Sequence, residues 1–101
     1  MVEPLAQEIV FDRLHKLIKK GDLIATRGEL AAGVDPSLRN RFGWTLLMLA
    51  ALHGRGDIVE LLVQSGADAR SSNQFGDTAE TLAISKGHHS VAQTLRNTTH
   101  E

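Results

Sequence analysis

Cysteine is missing from this 101-residue chain, which excludes disulfides and thiolate metal sites. The same absence suits a reducing compartment. Aromatic residues make up only 4% of the sequence, so a core has to be assembled from Leu, Ile, Val and Ala. No apolar run approaches the roughly 20 residues that a bilayer-spanning helix needs. Charge of one sign is not in excess: the formal net charge is −1, which argues against a nucleic-acid binder. Met1-Val2-Glu3-Pro4 carries neither the basic region nor the apolar core of a secretory signal. The expectation is an intracellular protein, cytoplasmic or nuclear, that meets neither membrane nor nucleic acid. Catalytic signatures are missing too: no Gly-rich phosphate loop, no Gly-x-Ser-x-Gly and no His-Glu-x-x-His. No enzyme activity, catalytic residue, cofactor or metal is therefore expected. His88-His89 points two adjacent side chains in different directions and lacks companion ligands, so it is read as structural.

What is present is ordinary for a folded domain: 42% hydrophobic and 23% charged residues. The organisation comes from a repeat. Gly21, Gly54 and Gly87 share one spacing of 33 residues (54 − 21 = 33; 87 − 54 = 33). Gly33 and Gly66, Gly43 and Gly76, Asn40 and Asn73, Phe42 and Phe75, Thr45 and Thr78, and Leu62 and Leu95 keep the same interval. Self-similarity at a fixed period marks a stack of supersecondary units, each too small to bury its own apolar face.

The middle copy carries Gly43, Thr45, Leu47, Ala50, Ala51, Gly54, Ile58, Val59, Leu62, Gly66, Ala67 and Asp68 at the corresponding places of Gly-x-Thr-Pro-Leu-His-x-Ala-Ala-x-x-Gly-His-x-x-Ile-Val-x-x-Leu-Leu-x-x-Gly-Ala-Asp, with Leu61 beside them. In this the chain resembles the ankyrin repeat family over about residues 5–96. The resemblance implies an all-α solenoid of helix-turn-helix units joined by finger-like β-turns. It divides the single domain, 1–101, into an N-terminal cap at about 5–39, an internal repeat at 40–72 and a C-terminal cap at 73–101.

Local signals refine this division. Pro4 suits a first helical turn, and Val10 stands where later copies have the finger glycine. One long helix is therefore predicted over about 4–19, with no finger. A second helix is predicted over Leu23–Ala31, stopped by Gly33 and weakened by Gly28. Thr45 and Thr78 read as N-caps of inner helices over 45–53 and 78–86. Outer helices follow over 57–65 and 88–96, and residues 97–101 read as a fraying tail. Thr26, Glu29 and Glu80 replace apolar motif residues. Glu80 is expected to face water, because no further repeat covers that side.

The resemblance implies binding of another protein on a concave face of fingers and inner helices. By position, Arg41, Phe42, Trp44, Leu52 and His53 of the second repeat line it, extended by Gln74, Phe75, Asp77, Ser85 and Lys86 of the third. Lys19, Lys20 and Arg39 are assigned to its other end; together with Arg41 they could serve an acidic partner segment, but a solvated charged face is the favoured reading. Trp44, the single Trp, has no periodic need for bulk, since its counterpart is Asp77. Trp is enriched at interface hot spots, so it is the expected anchor. Phe42 and Phe75 recur at the period, which favours a role in stacking finger on finger. His15 and His53 occupy different places in their repeats and show no ligand spacing. The domain is expected to be monomeric alone. The other roles open to it are an assembly-stabilising subunit that uses its outer helices or an end, and a minimal scaffold without a natural ligand.

Overall fold

The computed structural model describes residues 3–99; Met1, Val2, His100 and Glu101, and what the sequence suggested for them, lie outside. Six helices follow in order: α1 (Glu3–Lys20), α2 (Leu23–Ala31), α3 (Leu46–Leu52), α4 (Gly56–Gln64), α5 (Ala79–Ser85) and α6 (His89–Thr99). The inner helices α1, α3 and α5 pack side by side, and the outer helices α2, α4 and α6 form a second row behind them. The body measures 38 × 29 × 25 Å. Among the described residues the only β structure is two isolated bridges, Arg39 with Thr45 and Ser72 with Thr78, at the bases of the fingers.

Each element has a local cause. Thr45 accepts from the Met48 N–H at 3.1 Å and starts α3. Thr78 accepts from the Thr81 N–H while the Thr81 hydroxyl accepts from the Thr78 N–H, a reciprocal box that starts α5. Asp22 caps α2 by accepting from Ala25 N–H. The long α1 runs without interruption through Val10, as the missing finger glycine predicted.

The core is a continuous layer of Leu14, Ile18, Leu46, Leu47, Met48, Ile58, Val59, Leu62 and Leu95, with Ala50, Ala51 and Ala83 buried between the inner helices. These alanines allow the helices their close approach, because their side chains are short. Thr26 is fully buried at its motif position, and its hydroxyl donates to the Asp22 carbonyl at 2.8 Å, so no polar group is stranded.

The C-terminal helix departs from expectation. Residues 97–99 continue α6 rather than fray. Gln93 donates to Asn97 at 3.2 Å, and the hydroxyls of Thr94 and Thr98 donate to the carbonyls of Ser90 and Thr94. Polar side chains here bond along the helix, which composition alone does not reveal.

Candidate functional site

Asn40 organises the finger of the second repeat. Its backbone N–H donates to the Trp44 carbonyl, and its side-chain oxygen accepts from both Phe42 N–H and Trp44 N–H, each at 2.9 Å. Asn73 repeats this arrangement with Phe75 and Asp77. Neighbouring fingers are joined through backbone, the Gln74 N–H donating to the Phe42 carbonyl at 3.1 Å. A side chain on Gly43 would stand 3.0 Å from the Asn73 Cα, so that glycine permits the fingers to meet. The Phe rings do not do the stacking expected of them: Phe42 and Phe75 remain 44% and 68% exposed.

Beside the second finger lies a groove of about 360 Å³, bounded by Phe11, Asp12, His15, Asn40, Phe42, Trp44, Leu49, Leu52 and His53. Its α1 side is formed by Phe11, Asp12 and His15. Four expected residues meet here: Phe42, Trp44, Leu52 and His53. Arg41 is exposed beside them, its guanidinium 5.3 Å from the centre of the Phe42 ring. Trp44 is half-buried and packs against the core as well as lining the groove, so its bulk is partly structural.

The expected residues of the third repeat do not join this groove. Gln74, Phe75, Ser85 and Lys86 are exposed and Asp77 is half-buried. Ser85 donates back to the Leu82 carbonyl. Lys19 and Lys20 are exposed at the end of α1, whereas Arg39 donates to the Ser71 hydroxyl at 3.1 Å.

Phe11, Asp12 and His15 enter the groove without having been expected there. For Phe11 the sequence did hold a signal, since it stands 33 residues before Trp44 (44 − 11 = 33). His15 had none, and it meets His53 with ring centres 5.9 Å apart. Burial, and then the positive neighbours His15, Arg55, Lys19 and His88, hold His53 below the ordinary histidine pKa of 6.5. The His53 Nε2 is buried and has no hydrogen-bond partner among the described residues.

The turns after the inner helices are locked by a second periodic device. His88 Nε2 lies 3.1 Å from the Leu52 carbonyl oxygen, in keeping with the structural role read for it. One repeat earlier, Arg55 donates from Nη2 to the Lys19 carbonyl. Among the described residues no group of three His, Asp or Glu is arranged to hold a metal ion, and no helix is long and apolar enough to cross a membrane.

A family model described as "Ankyrin repeats (3 copies)" matches residues 14–101. The human NAD-capped RNA hydrolase NUDT12 is 36% identical over 94 residues, covering 90% of this chain and 20% of that protein. Human ankyrin repeat family A protein 2 is 36% identical over 77 residues, 74% of this chain and 24% of that protein. Glycerophosphocholine phosphodiesterase gde1 of Schizosaccharomyces pombe is 34% identical over 84 residues, 82% of this chain and 7% of that protein. The chain thus spans at most about a quarter of each of these relatives. The 33-residue period, the paired helices and the matched model agree that this chain belongs to the ankyrin repeat family.

Proposed function

We propose that this domain is a non-catalytic recognition module that binds a partner protein on its concave side, centred on the groove between α1 and the second finger. Ankyrin repeats generally mediate protein–protein interaction. The observation that carries the reading here is the apolar groove itself, with Phe42 44% exposed at its edge. Water gains little from covering such a surface, and a partner side chain that enters it gains the burial of several apolar groups at once. A finger fixed by the Asn40 bonds and an inner helix fixed by the core present that surface preorganised, so little ordering entropy is lost on docking. In this reading the domain acts inside the cell, as a monomer, without cofactor, membrane or nucleic acid.

The test is capture from cell lysate by wild type, Phe42→Ala and Trp44→Ala, read by mass spectrometry. Phe42→Ala is the cleaner variant because its ring is exposed, whereas Trp44→Ala also removes core contacts. A protein held by wild type and released by Phe42→Ala, with the melting temperature unchanged, supports the groove. Equal capture by all three moves binding to the outer helices or to an end of the stack.

A further inference from the structure

Two periodic columns flank the groove. One is apolar: Ile9, Phe42 and Phe75 share the 33-residue interval (42 − 9 = 33; 75 − 42 = 33) and are 58%, 44% and 68% exposed. The other has Lys20 and Lys86 at its two ends with a neutral His53 between them (53 − 20 = 33; 86 − 53 = 33), each just before a turn glycine. Phe42 and His53 both line the groove. Lys20 and Lys86 are exposed.

Arg55 adds a positive group on one of these turns, tied to a backbone carbonyl rather than to a carboxylate. The nearby acids, Asp22 and Asp57, accept from backbone N–H groups at the starts of α2 and α4. Burial first, and then the positive surroundings, disfavour a proton on His53. Since the whole chain carries −1, this edge concentrates cations that the composition hides.

The spacing suits a helical occupant. Packed helices lie roughly 8–10 Å apart, which sets the step from one repeat to the next. Residues i and i+7 of an α-helix point the same way roughly 10.5 Å apart, at 1.5 Å rise per residue. Same-face residues of an extended strand recur at about 6.8 Å, out of step with the stack. We propose that the occupant of this face is an amphipathic acidic α-helix, laying an apolar i, i+7 stripe along Ile9, Phe42 and Phe75 and carboxylates against Lys20 and Lys86. This rests on the concave-face reading above and names the class of partner it takes.

The probe is a synthetic helix of about 20 residues, roughly 30 Å long, with Leu at i and i+7, Glu along one flank and no Trp. Trp44, the only Trp of the chain, reports binding by fluorescence from inside the groove. The acidic peptide should bind saturably and more weakly as salt is raised, and a Lys-for-Glu counterpart should bind at least about tenfold more weakly. The Lys20→Glu/Lys86→Glu variant, altered only at exposed positions, should fold as wild type by circular dichroism. It should lose about tenfold for the acidic peptide and gain for the Lys peptide. Absence of saturable binding, equal binding of both peptides, or no effect of the double variant overturns the proposal. So does tighter binding of a single-stranded oligonucleotide, or equal binding of a proline-broken peptide of the same composition. A lysate partner released by Phe42→Ala but kept by Lys20→Glu/Lys86→Glu would sink this inference and leave the groove reading standing. A partner kept by both variants removes the two together.

Discussion

Arg13 and Glu29 are joined across the N-terminal end of the stack, Nη2 to Oε1 at 2.9 Å, at the positions where the middle repeat buries Leu46 and Leu62. The interval makes the equivalence (46 − 13 = 33; 62 − 29 = 33). The far end does the same with a different pair: Glu80 and Arg96 meet at 3.0 Å where the middle repeat has Leu47 and Val63 (80 − 47 = 33; 96 − 63 = 33). Each end of the solenoid thus turns an interhelix apolar contact into an ion pair that water can reach, as an uncovered repeat requires. Glu29→Ala should therefore cost no more than about 1 kcal/mol, because the pair is solvent-screened. Leu62→Ala, which opens a cavity in the core, should cost about 2–5 kcal/mol. Arg13→Leu with Glu29→Leu should keep the fold and produce concentration-dependent association in sedimentation, since it rebuilds an interior face at an exposed end. A monomer at all concentrations would show that the ion pair is not what keeps the end unpartnered.

Gly54 and His88 offer a sharper test of the turn device. Gly54 holds φ +70, and a Cβ there would lie 2.7 Å from the His88 ring. Gly54→Ala has a backbone cost of about 1–2 kcal/mol plus that collision. In a His88→Ala background only the backbone cost remains. A double-mutant cycle by urea unfolding should show coupling of about 0.5 kcal/mol or more, in the sense that the second change is cheaper after the first. Strict additivity would mean that the imidazole moves aside without loss.

What could be read from the chain follows the period closely, and what could not lies off it. Gly21-Asp22 and Gly33 bound α2 at the residues observed, because a cap and a positive-φ stop are local chemistry. Glu80 was legible as solvent-facing from its place in the last repeat, but its partner Arg96 was not. The groove was half legible: Phe42, Trp44, Leu52 and His53 follow from register, while α1 supplies the opposite wall. The contacts of His15 with His53, of Arg55 with Lys19 and of His88 with Leu52 are offset from 33 by a few residues. Such contacts cross between adjacent repeats at their turns, and a search at the repeat interval passes over them.

His53 gives the groove a pH dependence whose sign can be fixed. In the unfolded chain it titrates near the ordinary 6.5, and in the folded domain its pKa is lower, through burial first and then His15, Arg55, Lys19 and His88. Well above 6.5 both states are neutral there and nothing is gained or lost. As the pH falls through 6.5 toward the folded value, the unfolded chain takes up the proton first, so this group destabilises the fold on acidification. The ring C–H resonances of His53 should titrate below 6.5. Thermal melts between pH 7.5 and 5.5 should show a larger drop for wild type than for His53→Gln. Equal drops in the two proteins would assign the acid sensitivity to other groups.

Glu8 completes the row of fingers from a helix. Between the second and third repeats the Gln74 N–H finds the Phe42 carbonyl. One interval earlier the equivalent donor is the Arg41 N–H, and the equivalent acceptor would be the Ile9 carbonyl, which lies within α1. The Arg41 N–H instead donates to the Glu8 carboxylate at 2.9 Å. A charged oxygen thus substitutes for the missing finger carbonyl, and charge-assisted bonds of this kind are shorter and stronger than neutral ones. The bond ties the second finger to α1, whose Phe11, Asp12 and His15 line the groove. Glu8→Ala should speed hydrogen exchange at the Arg41 amide while leaving Gln74 unchanged, and it should cost about 0.5–1.5 kcal/mol or less, because the site is exposed. Glu8→Gln, which keeps an acceptor oxygen, should restore most of the protection. If Arg41 exchanges equally in all three proteins, the finger is held by Asn40 alone, and α1 lines the groove without tying the finger.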